Sequence, residues 1–210
     1  SLPPRWRAPA VCAWLGPRVH AVTYPVRGGD ALNIVCVVQQ PAEGAQPHAQ
    51  AHAGWDHPAA GEQVRAALSG LCAPLRELVA SVPSWGLWVL HDRPPVAGPG
   101  EMASGPVALV GDAAHPMRPY LAQGAAMALE DAFELGRVLA ASRERVMDIP
   151  TALQRYALNR WQRCARVQRR SLRNATIFHA GGLVRLGRNL ALRGLGGRVM
   201  DVPWLYEGVV

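Results

Sequence analysis

The sequence has no apolar run approaching the roughly 18 to 20 residues that cross a bilayer. Its opening Ser1-Leu2-Pro3-Pro4-Arg5-Trp6 has no apolar stretch of the signal-peptide kind. Both absences lead to the expectation of a soluble, cytoplasmic protein with no membrane partner. Cysteine is scarce: Cys12, Cys36, Cys72 and Cys164 lie far apart with no CxxC pair. That excludes a zinc ribbon and a disulfide framework and leaves free thiols. Charged residues are only 18% against 50% hydrophobic, too apolar a balance for a disordered chain. No internal repeat is found, and the 210 residues fit one large domain or two small ones.

What charge there is leans one way, +7 with a pI near 10.0, which calls for an anionic partner or for a solvated basic face. Much of it lies in one segment, where Arg155, Arg160, Arg163, Arg166, Arg169, Arg170 and Arg173 share one half of a helical wheel. Leu158, Trp161, Cys164, Ala165 and Leu172 take the other half. The expectation is an amphipathic helix lying on its apolar half with the arginines in water. Apart from Tyr156 the basic half lacks the interleaved aromatics on which single-strand binders stack bases, so nucleic acid is not expected as a partner.

Along the chain, β-branched runs over 19–26 and 31–39 flank Arg27-Gly28-Gly29-Asp30, the pattern of a hairpin whose turn needs positive backbone angles. Residues 40–61 read as a loop. It holds His48, His52 and His57, but Pro47, Gly54 and Pro58 break the helix that a metal-binding spacing requires, so no metal is expected. Short helices follow over 62–69 and 74–81, then a strand over 85–91. A Pro and Gly stretch to Gly105 marks a boundary, giving expected domains 1–95 and 96–210. Residues 106–110, Pro-Val-Ala-Leu-Val, form a continuous apolar run of the kind found in buried parallel strands. Helices are expected from 121–124 to 142, over 151–178 and over 183–192.

The chemistry gathers where that apolar run stops at Gly111-Asp112. A glycine admits close approach of ligand or backbone, and a carboxylate at the carboxyl end of a strand accepts hydrogen bonds from sugar-type hydroxyls. The helix opening at Gln123-Gly124-Ala125 turns its amides and the positive end of its dipole toward whatever sits before it. On physics alone the same residues also make a plain strand-turn-helix with a capping aspartate. His20 and Tyr24, four apart in a strand, project from one face. An imidazole and a phenol there either bind or deprotonate a phenolic substrate, or simply pack.

The order Gly111-Asp112-Ala113-Ala114-His115, Pro119, Gln123-Gly124 and Glu130-Asp131-Ala132 resembles the second FAD-binding motif of the class A flavoprotein monooxygenases, in the salicylate hydroxylase and hydroxynicotinate monooxygenase branch. Asp92-Arg93-Pro94 and Tyr24-Pro25-Val26-Arg27-Gly28-Gly29 occur in the same order there. The resemblance implies an α/β (α+β) fold: the C-terminal part of a FAD/NAD(P)-binding monooxygenase, with residues 1–95 part of a β-sheet substrate domain and 96–210 the final strand and helix of the FAD domain plus C-terminal helices. It implies that Asp112 binds the ribityl or pyrophosphate part of FAD, that Pro119 borders the isoalloxazine ring, and that Gly111, Gly124 and Ala125 complete the cofactor site. His20, Tyr24 and Tyr120 would line the substrate pocket, while His115 braces the loop. The implied reaction hydroxylates a phenolic or carboxylated aromatic ring with NADH or NADPH and dioxygen, through a flavin hydroperoxide.

Two family features are absent from the sequence. No strand-GxGxxG-helix occurs, since Gly194-Leu195-Gly196-Gly197 has the wrong spacing, and no midchain Asp-Gly motif is found. A missing N-terminal segment or subunit is therefore an implied partner. Ala126 also replaces an Asn common in relatives. The alternative expectation is an inactive remnant or interaction module that keeps the fold without binding flavin.

Overall fold

The computed structural model describes residues 3–39, 57–88, 90, 92–143 and 147–206; His48 and His52 of the expected loop lie outside them. In chain order the strands are β1 (Cys12–Gly16), β2 (Val19–Val26), β3 (Ala31–Val38), β4 (His57–Ala59), β5 (Trp85–Leu87), β6 (Ala103–Ser104) and β7 (Val107–Ala108). The helices are α1 (Gly61–Ala67), α2 (Ala73–Ala80), α3 (Gly124–Arg143), α4 (Ile149–Phe178), α5 (Gly182–Leu195) and α6 (Pro203–Tyr206). They divide between two compact units, Ser1–Val89 with Thr176–Gly196, and Leu90–Ala175 with Gly197–Val210. No helix among the described residues is long and apolar enough to cross a membrane.

In the first unit β1, β2 and β3 make an antiparallel sheet with β2 at its centre. The expected hairpin is present, with Tyr24 opposite Asn33 and His20 opposite Val37. Its turn carries positive φ at Arg27, Gly28 and Gly29, so the glycine pair absorbs most of a conformation that costs a side-chain-bearing residue. Strand β1 was not expected: five residues ending in glycine are too short to show an alternation. Alternate residues of β2 face opposite ways. Val19 and Ala21 join Leu68, Leu75 and Val79 in a buried cluster that Trp14, Val64 and Trp85 flank. Pro74 lies in the first turn of α2, where its missing amide costs nothing. The strand expected over 85–91 is the three-residue β5, paired antiparallel with β4.

In the second unit Asp148 opens α4, its Oδ1 accepting the Thr151 amide at 2.8 Å, a typical N-cap bond. The buried face of α4 corrects the expected wheel. Leu158 is 49% exposed, whereas Arg160 is 1% exposed and lies in a stripe with Leu153, Tyr156, Ala157, Cys164, Val167, Gln168 and Ser171. The stripe is centred on Arg160 because α3 brings it carboxylates: Glu130 Oε2 is 2.6 Å from its Nη1 and Asp131 Oδ1 is 2.8 Å from its Nε. Paired in this way, a guanidinium tolerates burial that it otherwise resists. Val96, Met102, Ala114, Val138, Ala152 and Tyr156 complete the adjoining core.

The apolar run over 106–110 also departs from expectation. It contributes a two-residue strand, β7, which folds back at Gly105 to pair antiparallel with β6. Val107 is 60% exposed and Val110 is 42% exposed. A continuous apolar run is the signature of a strand covered on both faces, and no parallel neighbour covers it among the described residues.

Candidate functional site

The Gly111–Ala113 segment is a single 3-10 turn, closed by the amides of Ala114 and His115 donating to the Gly111 carbonyl at 3.0 and 2.9 Å. Gly111 itself is buried at φ +56, and a Cβ there would lie 3.2 Å from the Ala128 Cβ of α3. Only glycine meets both demands, a left-handed backbone and close approach to a helix. The turn leaves Asp112 exposed, with its Oδ1 3.8 Å from the point where a Cβ on Gly124 would stand. The carboxylate thus lies at the head of α3, whose first turn contains no acidic residue.

Beneath this exposed carboxylate is a buried one. Asp131 Oδ2 accepts from the Gly111 amide at 2.9 Å and sits 2.6 Å from His115 Nε2, while Oδ1 accepts from Arg160 Nε at 2.8 Å. Burial opposes ionisation of Asp131, but hydrogen bonds from His115, Arg160 and Gly111 outweigh it and hold the carboxyl below its ordinary range. Burial likewise works against a charge on His115, yet its bond to Asp131 and the nearby Cys164 push it up to about 9. His115 and Asp131 are therefore an ion pair that ties the turn to α3 and, through Arg160, to α4. His115, Asp131 and Cys164 also lie within 4.8 Å of one another. The Arg160 guanidinium already occupies Oδ1 of that carboxylate, so a structural brace accounts for the cluster better than a metal does.

The segment after the turn runs along α4 and is buttoned to it by three polar side chains spaced three apart. Gln168 Nε2 donates to the Pro116 carbonyl at 3.1 Å, Ser171 Oγ to that of Arg118 at 2.8 Å, and Asn174 Nδ2 to that of Tyr120 at 3.4 Å. Every second carbonyl of an extended segment thus meets every third residue of a helix. Pro119 is exposed between two of these anchors, and Tyr120 is 7% exposed. Burial raises the Tyr120 phenol above its ordinary value although Arg118 opposes this. Arg118 pairs with Asp92 at 2.5 Å, so its charge is engaged within the fold. Arg93 of the same Asp-Arg-Pro element pairs with Glu101 and donates to the Ala114 carbonyl.

His20 and Tyr24 belong to β2 of the first unit, and Tyr120 and the Gly111–Ala113 turn to the second. His20 is 1% exposed, with Nδ1 2.8 Å from His179 Nε2 and the Phe178 ring set edge-on at 5.4 Å. Burial, then the neighbouring His179, lower its pKa to about 4. Tyr24 is half-buried.

Sequence reasoning singled out Gly111, Asp112 and the α3 head as candidates and passed over Arg160, Gln168, Ser171 and Asn174 as structural partners. The signal available for the last three was polar residues recurring at 168, 171 and 174 within the face that carries Ala157, Cys164 and Val167. That pattern marks a buried face with carbonyls to satisfy.

Comparison with known proteins bears on this geometry. The profile of the family described as FAD binding domain matches residues 48–171. The 3-hydroxybenzoate 6-hydroxylase of Polaromonas naphthalenivorans is 35% identical over 205 residues, covering 96% of this chain and 47% of its own length. Salicylate hydroxylase of Pseudomonas putida is 34% identical over 165 residues, covering 79% of this chain and 37% of its own. A solved salicylate hydroxylase substrate complex superposes with a TM-score of 0.78 at 28% identity, over 95% of this chain and 47% of that one. The chain spans about half the length of the curated relatives it matches.

Proposed function

Since the chain belongs to the FAD-binding family of class A aromatic-ring hydroxylases, we propose that it forms the flavin-loop half of an aromatic monooxygenase acting on a phenolic or carboxylated ring with NADH or NADPH and dioxygen. The observation that carries this reading is the exposed carboxylate of Asp112 at the head of α3, on a turn held rigid from below. An exposed acceptor beside the positive end of a helix suits a ligand that combines hydroxyls with anionic groups. FAD is such a ligand.

In this reading Asp112 accepts from the ribityl hydroxyls or orders the pyrophosphate, and Gly124 and Ala125 offer amides to the pyrimidine edge of the ring. Pro119, held between the Arg118 and Tyr120 anchors, sets a flat apolar wall beside it. The cofactor when bound supplies reduction by the nicotinamide and activation of dioxygen; the chain's residues bind, orient and exclude water. Tyr24, with His20 on the same face of β2, presents a phenol to the aromatic substrate. The named substrates of relatives, 3-hydroxybenzoate and salicylate, carry a ring hydroxyl and a carboxylate, which is the substrate class we assign. The basic helix argues against a nucleic-acid role, because Arg160 and Arg163 are both bound to Glu130.

The test is a chimera in which this chain replaces the matching half of the Polaromonas relative. It should purify yellow, and Asp112→Ala should release the flavin while circular dichroism stays unchanged. A folded chimera that binds no FAD would overturn the reading in favour of a non-catalytic module.

A further inference from the structure

Helix α6 is a single turn of four residues, far too short to persist by itself, so contacts within the second unit hold it. Arg163 of α4 supplies two of them. Its Nη1 donates to the Trp204 carbonyl at 3.2 Å and its Nη2 to the Leu205 carbonyl at 3.0 Å, acceptors that a helix end leaves open. The same guanidinium is bidentate on Glu130 of α3, with Nε and Nη2 at 2.7 and 2.8 Å from its two oxygens. Three residues further along α4, the guanidinium carbon of Arg166 stands 3.8 Å from the centre of the Trp204 ring, a cation over an aromatic face. Two arginines of the basic helix thus clamp the tail, one by its main chain and one by its indole.

What the tail covers joins it to the segment that carries Pro119. Val202 and Leu205 are buried in a cluster with Met127 of α3 and Val167 of α4, and Met117, Leu121 and Trp204 pack against it. Met117 stands two residues before Pro119 and Leu121 two after it. Residues 116–121 are therefore held twice, by three carbonyls bonded along α4 and by apolar side chains on a cluster that the tail completes. A row of bonds along one line leaves a segment free to roll about that line; packing to one side of the row removes this freedom. We propose that the C-terminal tail is a positioning element for the cofactor loop: Trp204, clamped by Arg163 and Arg166, keeps Val202 and Leu205 against Met117 and Leu121 and so sets the angle at which Pro119 meets the flavin. The consequence for flavin rests on the hydroxylase reading, whereas the hold of the tail on residues 116–121 does not.

The experiment compares Trp204→Ala and Trp204→Phe with the wild type, first by amide hydrogen exchange in the full 210-residue chain. The probe is the Tyr120 amide, which donates to the Arg118 carbonyl at 2.8 Å within the loop itself. Trp204→Ala should speed its exchange several-fold while the helical amides of α4 keep their wild-type rates. Trp204→Phe retains a ring for Arg166 and should stay near the wild type. In the flavin-binding chimera the alanine variant should lose FAD several-fold faster, and the phenylalanine variant should not. Unchanged Tyr120 exchange in a folded Trp204→Ala would overturn the proposal. So would a rise spread equally over α4, which makes the tail ordinary packing, or a loosened loop with FAD retention unaltered. If Trp204→Ala does not fold, Arg166→Gln, an exposed change that takes the cation off the ring, is read in the same way. Exchange needs no flavin, so a wild-type chimera that binds no FAD would remove the hydroxylase reading and leave the hold of the tail on the loop standing.

Discussion

Asp131 Oδ2 lies 2.6 Å from His115 Nε2, and neither side chain has any exposure. A second cation, Arg160, binds the other oxygen of the same carboxylate, so this buried negative charge bridges two positive ones, the second of which Glu130 also pairs. Asp131→Asn should therefore be among the most damaging single changes. It leaves the buried imidazole without its counter-ion and the buried guanidinium with Glu130 alone, and breaking such a network by removing one partner costs about 3 to 5 kcal/mol. Urea unfolding followed by circular dichroism measures this. A loss under about 1 kcal/mol would mean that the pair is not the brace described.

Two of the buried histidines, His115 and His20, should tilt stability in opposite directions. His115 is raised to about 9 in the folded chain from 6.5, so its contribution is full below 6.5 and fades as pH rises through 9. His20 is lowered to about 4 from 6.5. The unfolded chain then binds the extra proton first, and the contribution present above 6.5 is lost as pH falls toward 4. Denaturation midpoints across pH should peak between the two limbs. His115→Gln should flatten the alkaline limb and His20→Gln the part of the acid limb above about 4. Retention of both slopes in both variants would contradict the assignment.

How far the sequence discloses this molecule depends on whether a residue's role is local. The hairpin turn at Arg27–Gly29, the helix heads at Pro74 and Gly124 and the Gly111-Asp112 turn are legible because backbone angles and caps are set by near neighbours. Arg160 is not legible. A helical wheel assigns it to solvent by residue type, and only the arrival of Glu130 and Asp131 from α3 makes it core. The run 106–110 misleads for the opposite reason, since its composition records a cover that the described residues do not supply. The segment around Gly111 and Gly124 stands out by motif order, but what fixes the shape of residues 116–120, the row Gln168, Ser171 and Asn174, matters only once an extended segment lies along it.

Gly111→Ala should destabilise the chain by about 1 to 2 kcal/mol, the cost of a left-handed conformation for a residue bearing Cβ. The added methyl would also stand 3.2 Å from the Ala128 Cβ. Combining it with Ala128→Gly relieves the contact but not the backbone strain. The double variant should therefore recover only part of the loss, beyond the cost of a glycine in a helix, about 1 kcal/mol. Full recovery in thermal unfolding would show that φ carries no penalty here.

The loop-to-helix row makes a graded prediction, because its three bonds differ in what each leaves behind. Ser171→Ala removes one donor from the Arg118 carbonyl and should cost about 1 kcal/mol, the net worth of an ordinary hydrogen bond. Gln168 does two things at once, accepting from the Val96 amide at 2.9 Å and donating to the Pro116 carbonyl. Gln168→Leu should therefore cost more, since it strands a buried amide as well as a carbonyl. Gln168→Glu keeps the acceptor for Val96 while losing the donor, and should fall at least as low, because the buried carboxylate pays for desolvation. The order of stability expected from urea midpoints is wild type, Ser171→Ala, Gln168→Leu, then Gln168→Glu. In the flavin-binding chimera the same series should weaken FAD retention more than it weakens folding, since the bonds orient Pro119 and Tyr120. Equal loss of both would make the row a plain packing feature with no hold on the cofactor loop.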